Sequence, residues 1–285
     1  MNRIVLPFLF CISTAHAQST VSPAASFAYS ANGGWIDLRP SDADGVRLTE
    51  MYLSGKAYAA NFGWIDLGDG TPSNGHSYSN ASSTDYGVNL AANGALTGSA
   101  YSANIGWIAF EQNQGKPKLN LLTGQITGYA YAANAGWIAL DTTTSDLATL
   151  FLARPDTDGD GITDAWEHMH FANLTTASAI SDADGDGTTD LQEYEAGTDP
   201  QDLNSVFRIV SHSFGTGGTL ASITFTSSPG RLYRLEHDAD LQGSWTDSSL
   251  GIFQPDAGSL TNKEIPVSGG TIRFIRAVSI KPLPP

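Results

Sequence analysis

The chain has 285 residues and carries 14 Lys and Arg against 29 Asp and Glu, a formal net charge of −15. So acidic and lysine-poor a surface repels nucleic acid and anionic membranes, which excludes both as partners. The length allows more than one domain, and the single cysteine, Cys11, leaves no disulfide to staple any of them.

At the N-terminus, Asn2 and Arg3 precede the apolar run IVLPFLFCI and the small-residue stretch AHA. This pattern predicts a secretory signal over residues 1–17, cleaved after Ala17. The run falls well short of the roughly twenty apolar residues that a membrane span requires. Phe8, Leu9 and Phe10 stand before Cys11 where a lipoprotein signal carries small residues. The expected location is therefore secreted or extracellular, with association at the cell surface. An exported chain without disulfides needs another source of stability, and extracellular calcium is a natural substitute.

Residues 18–153 contain one phrase four times: YSANGGWIDL at 29–38, YAANFGWIDL at 58–67, YSANIGWIAF at 101–110 and YAANAGWIAL at 131–140. Each phrase predicts a β-hairpin turning through Asn-x-Gly, with the glycine left-handed. That turn sets Ala31 opposite Trp35 and Ser30 opposite Ile36. Alternation then groups Tyr29, Ala31, Trp35 and Asp37 on one face, and Ile36 with Leu38 on the other. With apolar residues on both faces, the hairpins are expected to stack as a solenoid-like array or a small sandwich. Trp35, Trp64, Trp107 and Trp137 are read first as core, with an exposed row that stacks on sugars as the alternative. The polar stretch between the second and third copies reads as a surface loop. The phrase resembles the GYAxSxNxGWI repeats of secreted bacterial surface proteins, which implies a location more than a chemistry. In a bacterial protein the sequons at Asn80 and Asn173 carry little weight.

Residues 154–202 hold two acidic twelve-residue loops, DTDGDGITDAWE at 156–167 and DADGDGTTDLQE at 182–193. Calcium takes about six to eight oxygens, and a loop of this type supplies them from positions 1, 3, 5, 7, 9 and 12, with glycine at 6 for the turn. The first site is then Asp156, Asp158, Asp160, the carbonyl of Ile162, Asp164 and bidentate Glu167, with Gly161 at the turn. The second is Asp182, Asp184, Asp186, the carbonyl of Thr188, Asp190 and Glu193, with Gly187 at the turn. Residues 156–202 contain 13 acidic residues and no Lys or Arg, so the segment repels itself unless cations bind. Pro155 before the first loop and ASAIS before the second argue against entering helices, whereas exiting helices are expected over 164–171 and 190–196. The words DTDGDGITDAWE and DADGDGTTDLQEYEAGTDP resemble bacterial thrombospondin type 3 repeats, which implies a rigid calcium-loaded spacer that holds its flanking modules apart. Dockerins share the loop-then-helix arrangement, but Ala165, Trp166, Leu191 and Gln192 depart from their recognition residues, which argues against cohesin docking.

Residues 203–285 alternate short β-rich runs, at 207–214, 219–227, 231–238, 243–249 and 271–280, with Gly, Pro, Asn and Asp. About 80 residues so organised suggest an immunoglobulin- or fibronectin-like sandwich. The fold class is thus mainly β: repeated hairpins, a short spacer of calcium loops and helices, and a terminal sandwich.

No nucleophile elbow, zinc-protease helix or phosphate-binding glycine loop is present. His168 and His170, two residues apart on a helix, point to different sides and make a poor metal pair. The leading expectation is a non-enzymatic, calcium-binding surface or adhesion protein whose further partners are cell-surface polysaccharide or protein. The alternative is a carbohydrate-binding or carbohydrate-active protein that uses the Tyr/Trp row, with Asp37 and Asp66 nearby.

Overall fold

The computed structural model describes residues 18–142, 146–215, 219–241, 245–267 and 274–285. The expected signal over 1–17 lies outside the described residues. The chain is mainly β, and the four phrases do form antiparallel hairpins: Val21–Ser30 with Gly34–Asp37, Lys56–Ala59 with Gly63–Asp66, Leu96–Ser102 with Gly106–Phe110, and Tyr129–Ala132 with Gly136–Ala139. They neither stack as a solenoid nor split into a sandwich. Each hairpin pairs with the next through Ile36–Ala59, Asp66–Tyr101 and Tyr131–Ala109, and Tyr29 pairs with Ala139 to close the circle. The result is a closed eight-stranded barrel, which leaves no free edge on those strands.

Alternation sorts the side chains as the pattern dictates. Ala28, Ile36, Ala57, Ile65, Ala100, Ile108, Ala130 and Ile138 fill the interior, an alanine facing an isoleucine in every hairpin. The register differs from the expected one by two residues, since Tyr29 faces Trp35 and Ser30 faces Gly34. The loop is Ala31-Asn32-Gly33, and Gly34 forms the first pair with a φ of 77°. A shift of two preserves parity, so each residue keeps its expected face. The first reading of the tryptophans does not survive: Trp35, Trp64, Trp107 and Trp137 are 46%, 49%, 47% and 42% exposed. Alanine and isoleucine already fill so narrow a barrel, and the indoles are left on its outer wall. Each meets its own tyrosine edge-on, with centroids 4.9 to 5.1 Å apart. The row is therefore a belt around a convex wall.

The asparagine of each phrase links neighbouring turns. The Asn61 side-chain amide donates to Gly33 O at 3.2 Å, Asn104 to Phe62 O at 2.9 Å, Asn134 to Ile105 O at 3.1 Å and Asn32 to Ala135 O at 3.1 Å. These four bonds run head to tail in a ring around one mouth of the barrel. The residue after each asparagine plugs that mouth, and its size varies: Gly33, Phe62, Ile105 and Ala135 are all buried. A Cβ on Gly33 would lie 1.8 Å from the Phe62 ring, so the phenylalanine occupies the space that glycine vacates.

Beyond the opposite mouth, short strands extend each repeat: Arg47–Leu48 with Leu53–Ser54, Val88–Leu90 with the start of Leu96–Ser102, and Lys118–Leu119 with Gln125–Thr127. Leu147–Thr149 is completed by the first strand, through Val21–Thr149 and Ser26–Leu147. The terminal module holds two three-stranded sheets around Ile223, Phe225, Tyr233, Leu235 and Ile265. Its strand Leu260–Pro266 escapes the sequence reading because polar residues dominate it.

Gly33→Ala is expected to destabilise the barrel by about 1–3 kcal/mol, the usual cost of overpacking a filled core. Phe62→Leu in the same chain should recover part of that loss. Additive effects of the two substitutions in thermal melts would show that Gly33 and Phe62 do not share the space.

Candidate metal centre

The two acidic loops fold alike because the same residue types recur at the same steps. Gly161 and Gly187 adopt φ values of 97° and 95°, the left-handed turn that position 6 demands. Asp156 accepts from the amides of Gly159 and Gly161, and Asp182 from those of Gly185 and Gly187, so the first carboxylate of each loop organises its own backbone. Asp156, Asp158 and Asp160 thereby converge with carboxylate oxygens within 4.8 Å of one another, as do Asp182, Asp184 and Asp186. Like charges this close repel unless a cation sits among them.

The glutamates at position 12 arrive from helices. Helix α1 is Asp164–Phe171 and helix α2 is Asp190–Ala196, with Ala172 and Gly197 as left-handed caps. Glu167 and Glu193 are fully buried. Neither Glu167 oxygen has a hydrogen-bond partner, and neither does Oε2 of Glu193; Oδ2 of Asp160 and Oδ2 of Asp184 are orphaned in the same way. Thr198 supplies the one bond to Glu193 Oε1, at 3.2 Å. Buried carboxylate oxygens without donors are costly, and a divalent cation is the partner that fits such a donor set. Desolvation first, and the neighbouring aspartates second, push both glutamates up to about 7.

Asp164 and Asp190 are placed differently. Both Asp164 oxygens accept from Thr157, at 2.7 Å from its amide and from its hydroxyl. Asp190 accepts from Ser181 Oγ at 2.5 Å and from the Ala183 amide at 3.1 Å. The position-9 carboxylates thus close each loop back onto its own start. The side chain of Ile162 is buried against Trp166, Ala177 and Tyr194, which anchors the first loop from below. In the second loop the Thr188 amide donates to Asp186 Oδ1 at 2.6 Å.

One participant is absent from the sequence reading. Glu50, in the turn after Arg47–Leu48, accepts from Arg154 Nε at 2.8 Å, Thr163 Oγ1 at 3.2 Å and Tyr194 O–H at 2.8 Å. Thr163 is the N-cap of α1, yet its hydroxyl goes to Glu50, whereas Thr189 caps α2 in a full capping box with Gln192. Tyr194 follows Glu193 on α2 and Thr163 stands one turn before Glu167, so both helices that carry the buried glutamates are tied to one carboxylate of the repeat region. From the other side, the buried Arg231 donates to the α2 carbonyls of Tyr194 and Glu195. Leu232, Ile280 and Leu283 join the apolar core of the repeats. The expected separation of modules is therefore not seen, because this short segment has apolar faces on two sides and both are covered. The lone acid that makes the junction carries no motif by which to find it.

Against known proteins, the family model of the bacterial TSP3 repeat matches residues 156–168 and 182–202. Neither the curated proteins nor the solved structures gave a match. Among the described residues, no helix is long and apolar enough to cross a membrane.

Two outcomes follow from this geometry. Glu193→Gln should weaken metal binding by the second loop at least tenfold, while Glu195→Gln, exposed on the same helix, should leave a titration unchanged. The second concerns pH. A carboxylate raised from an unfolded value of 4.5 to about 7 binds a proton in the metal-free fold. Its contribution to the metal-free fold is therefore complete below pH 4.5 and lost as pH rises through about 7. Metal must displace those protons, so affinity should fall between about pH 8 and pH 5.5, with proton release visible in calorimetry in two buffers of different ionisation enthalpy. An affinity that is flat across that window would contradict the burial of Glu167 and Glu193.

Proposed function

We propose that this chain is an exported, non-enzymatic calcium-binding protein of the bacterial surface, acting in adhesion, whose calcium sites fix the relation between a β-barrel and a β-sandwich. The observation that carries this reading is the duplicated site, in which a buried glutamate with orphaned oxygens faces three converging aspartates. The match to the bacterial TSP3 repeat supports it at the same residues. Calcium suits the all-oxygen donor set better than a thiol- or imidazole-seeking metal, since neither loop contains Cys or His. Export is supported by the leader pattern of residues 1–17. Calcium would then act as the cross-link, because Thr163 and Tyr194, which Glu50 binds, sit at or in the same two helices that carry Glu167 and Glu193.

Calorimetry on the full chain should find about two calcium ions, with dissociation constants of roughly 10⁻⁴ to 10⁻³ M, the range of extracellular modules. Chelation should expose residues 156–202 to protease and loosen the barrel from the sandwich, visible as an increased radius of gyration in small-angle scattering. No heat of binding in millimolar calcium, or identical digestion with and without chelator, would count against the proposal.

A further inference from the structure

The four repeats are not equivalent on their outer wall, and the difference creates a recess at the third. Two residues before the belt tyrosine stand Phe27, Lys56, Ser99 and Tyr129. In the first and last repeats that position is a ring lying 6.2 Å from the indole, Phe27 beside Trp35 and Tyr129 beside Trp137. In the third repeat it is only a hydroxyl. The second ring there comes from the loop between Gly68 and Gly87, whose Tyr86 meets Trp107 edge-on at 5.0 Å. Where the other repeats carry a side chain, this arrangement leaves a recess of about 370 Å³, walled by Trp107, Tyr86, Ser99, Ser82, Ser83 and Asn80.

The loop that builds this wall is held in place. Asp85 accepts from Ser73 Oγ at 2.6 Å and from the amides of Ser73 and Ser79 at 3.2 and 3.1 Å, and these bonds, the hydroxyl first, hold its carboxyl below the ordinary range. The Asn80 side-chain oxygen accepts from the Gly87 amide at 3.2 Å, and Ser99 N donates to Gly87 O at 3.1 Å, which ties the loop to the barrel strand beneath. Beneath the loop, Tyr78 is buried against Tyr52. A recess so supported keeps its shape without a ligand, which lowers the entropy lost on binding.

The chemistry of the lining selects the ligand. The half-exposed Trp107 and the partly buried Tyr86 offer apolar faces, three serine hydroxyls and an amide surround them, and no charged side chain lines the space. A ligand that matches must be uncharged, rich in hydroxyls and apolar on one face. From this we infer that the recess binds one ring of a neutral polysaccharide, stacked against Trp107 and hydrogen-bonded by the surrounding hydroxyls. The site takes up the carbohydrate reading of the repeats at one repeat only and is independent of the calcium loops.

The test uses the full chain in calcium with cellohexaose, laminarihexaose and mannohexaose as probes, an oligogalacturonate as charged control, and indole fluorescence with calorimetry as readout. At least one neutral oligosaccharide should bind. Trp107→Ala and Tyr86→Ala should each weaken that binding about tenfold or more, the loss expected for one stacked ring. Ser99→Tyr restores the ring that the fourth repeat carries and should block the recess while every other lining group stays in place. Trp35→Ala, on the same belt without a recess, should bind as the wild type does. Melting curves identify any variant that fails to fold, and Ser99→Tyr then decides the matter. Failure of all three neutral probes, equal losses for Trp35→Ala and Trp107→Ala, or tighter binding of the charged control at the same residues would overturn the inference.

Discussion

The strand Val21–Ser30 must find partners on two sides at once, and the barrel exists only if it does. Its second half pairs with its own hairpin partner and with the last hairpin, while its first half completes the short sheet of the fourth repeat. Thr149 Oγ1 lies 3.0 Å from both Thr20 O and Thr20 Oγ1, which locks the seam where the two ends of the repeat region meet. A chain of four hairpins without this closure would expose two sheet edges and uncover its apolar interior face. Closure spans more than a hundred residues, so its loop entropy is paid late and by many contacts together. The ring of asparagine bonds follows from the same closure, because Asn32 reaches Ala135 only when the first and last turns are adjacent.

The acidic spacer depends on that ring in turn. Glu50 lies between two short strands of the repeat region, and it is the barrel that presents this carboxylate to Arg154, Thr163 and Tyr194. Arg154 is also bound to the carbonyls of Pro282 and Leu283, so one guanidinium joins the repeats, the spacer and the C-terminus. Lys281 lies over the Tyr194 ring, 4.6 Å from its centroid, on the face that the sandwich brings. Buried acids that repel one another and a hydrogen-bonded junction built on the same helices are opposing terms. A cation in each loop would remove the first and leave the second, so that metal binding and assembly of the three parts would be one equilibrium.

How much of this the sequence discloses depends on the range of the interaction involved. The acidic loops and their exiting helices are legible because each needs only local chemistry: carboxylates at fixed steps and a left-handed glycine. The hairpins are legible for the same reason, down to the faces of Trp35 and Ile36. What cannot be read is whatever depends on a distant partner. A period-2 pattern with apolar residues on both faces does not say whether a tryptophan meets another sheet or water; that is set by barrel closure and by alanine and isoleucine already filling the inside. Glu50 is equally silent, since a single acid in a turn looks like any solvated residue until Tyr194 and Arg154 arrive from elsewhere in the chain.

Repetition with controlled departures explains both the stability of the barrel and its asymmetry. The phrase fixes Tyr, Asn, Gly, Trp and Ile in every copy, and those are the residues that make the belt, the ring of bonds, the turn and the interior. Among the positions that vary, two differ most between the copies. The residue after asparagine cannot be large four times, because the four side chains converge on one mouth; Phe62 is accommodated by the missing side chain of Gly33. The position two before the belt tyrosine faces outward and is limited by no such sum, so it ranges from lysine to serine to rings. An outward position is thus where one repeat can acquire a feature that the others lack at little cost to the fold. In this chain the smallest outward residue among the four, Ser99, coincides with the longest insertion, and that insertion brings Tyr86 to the indole that Ser99 leaves uncovered.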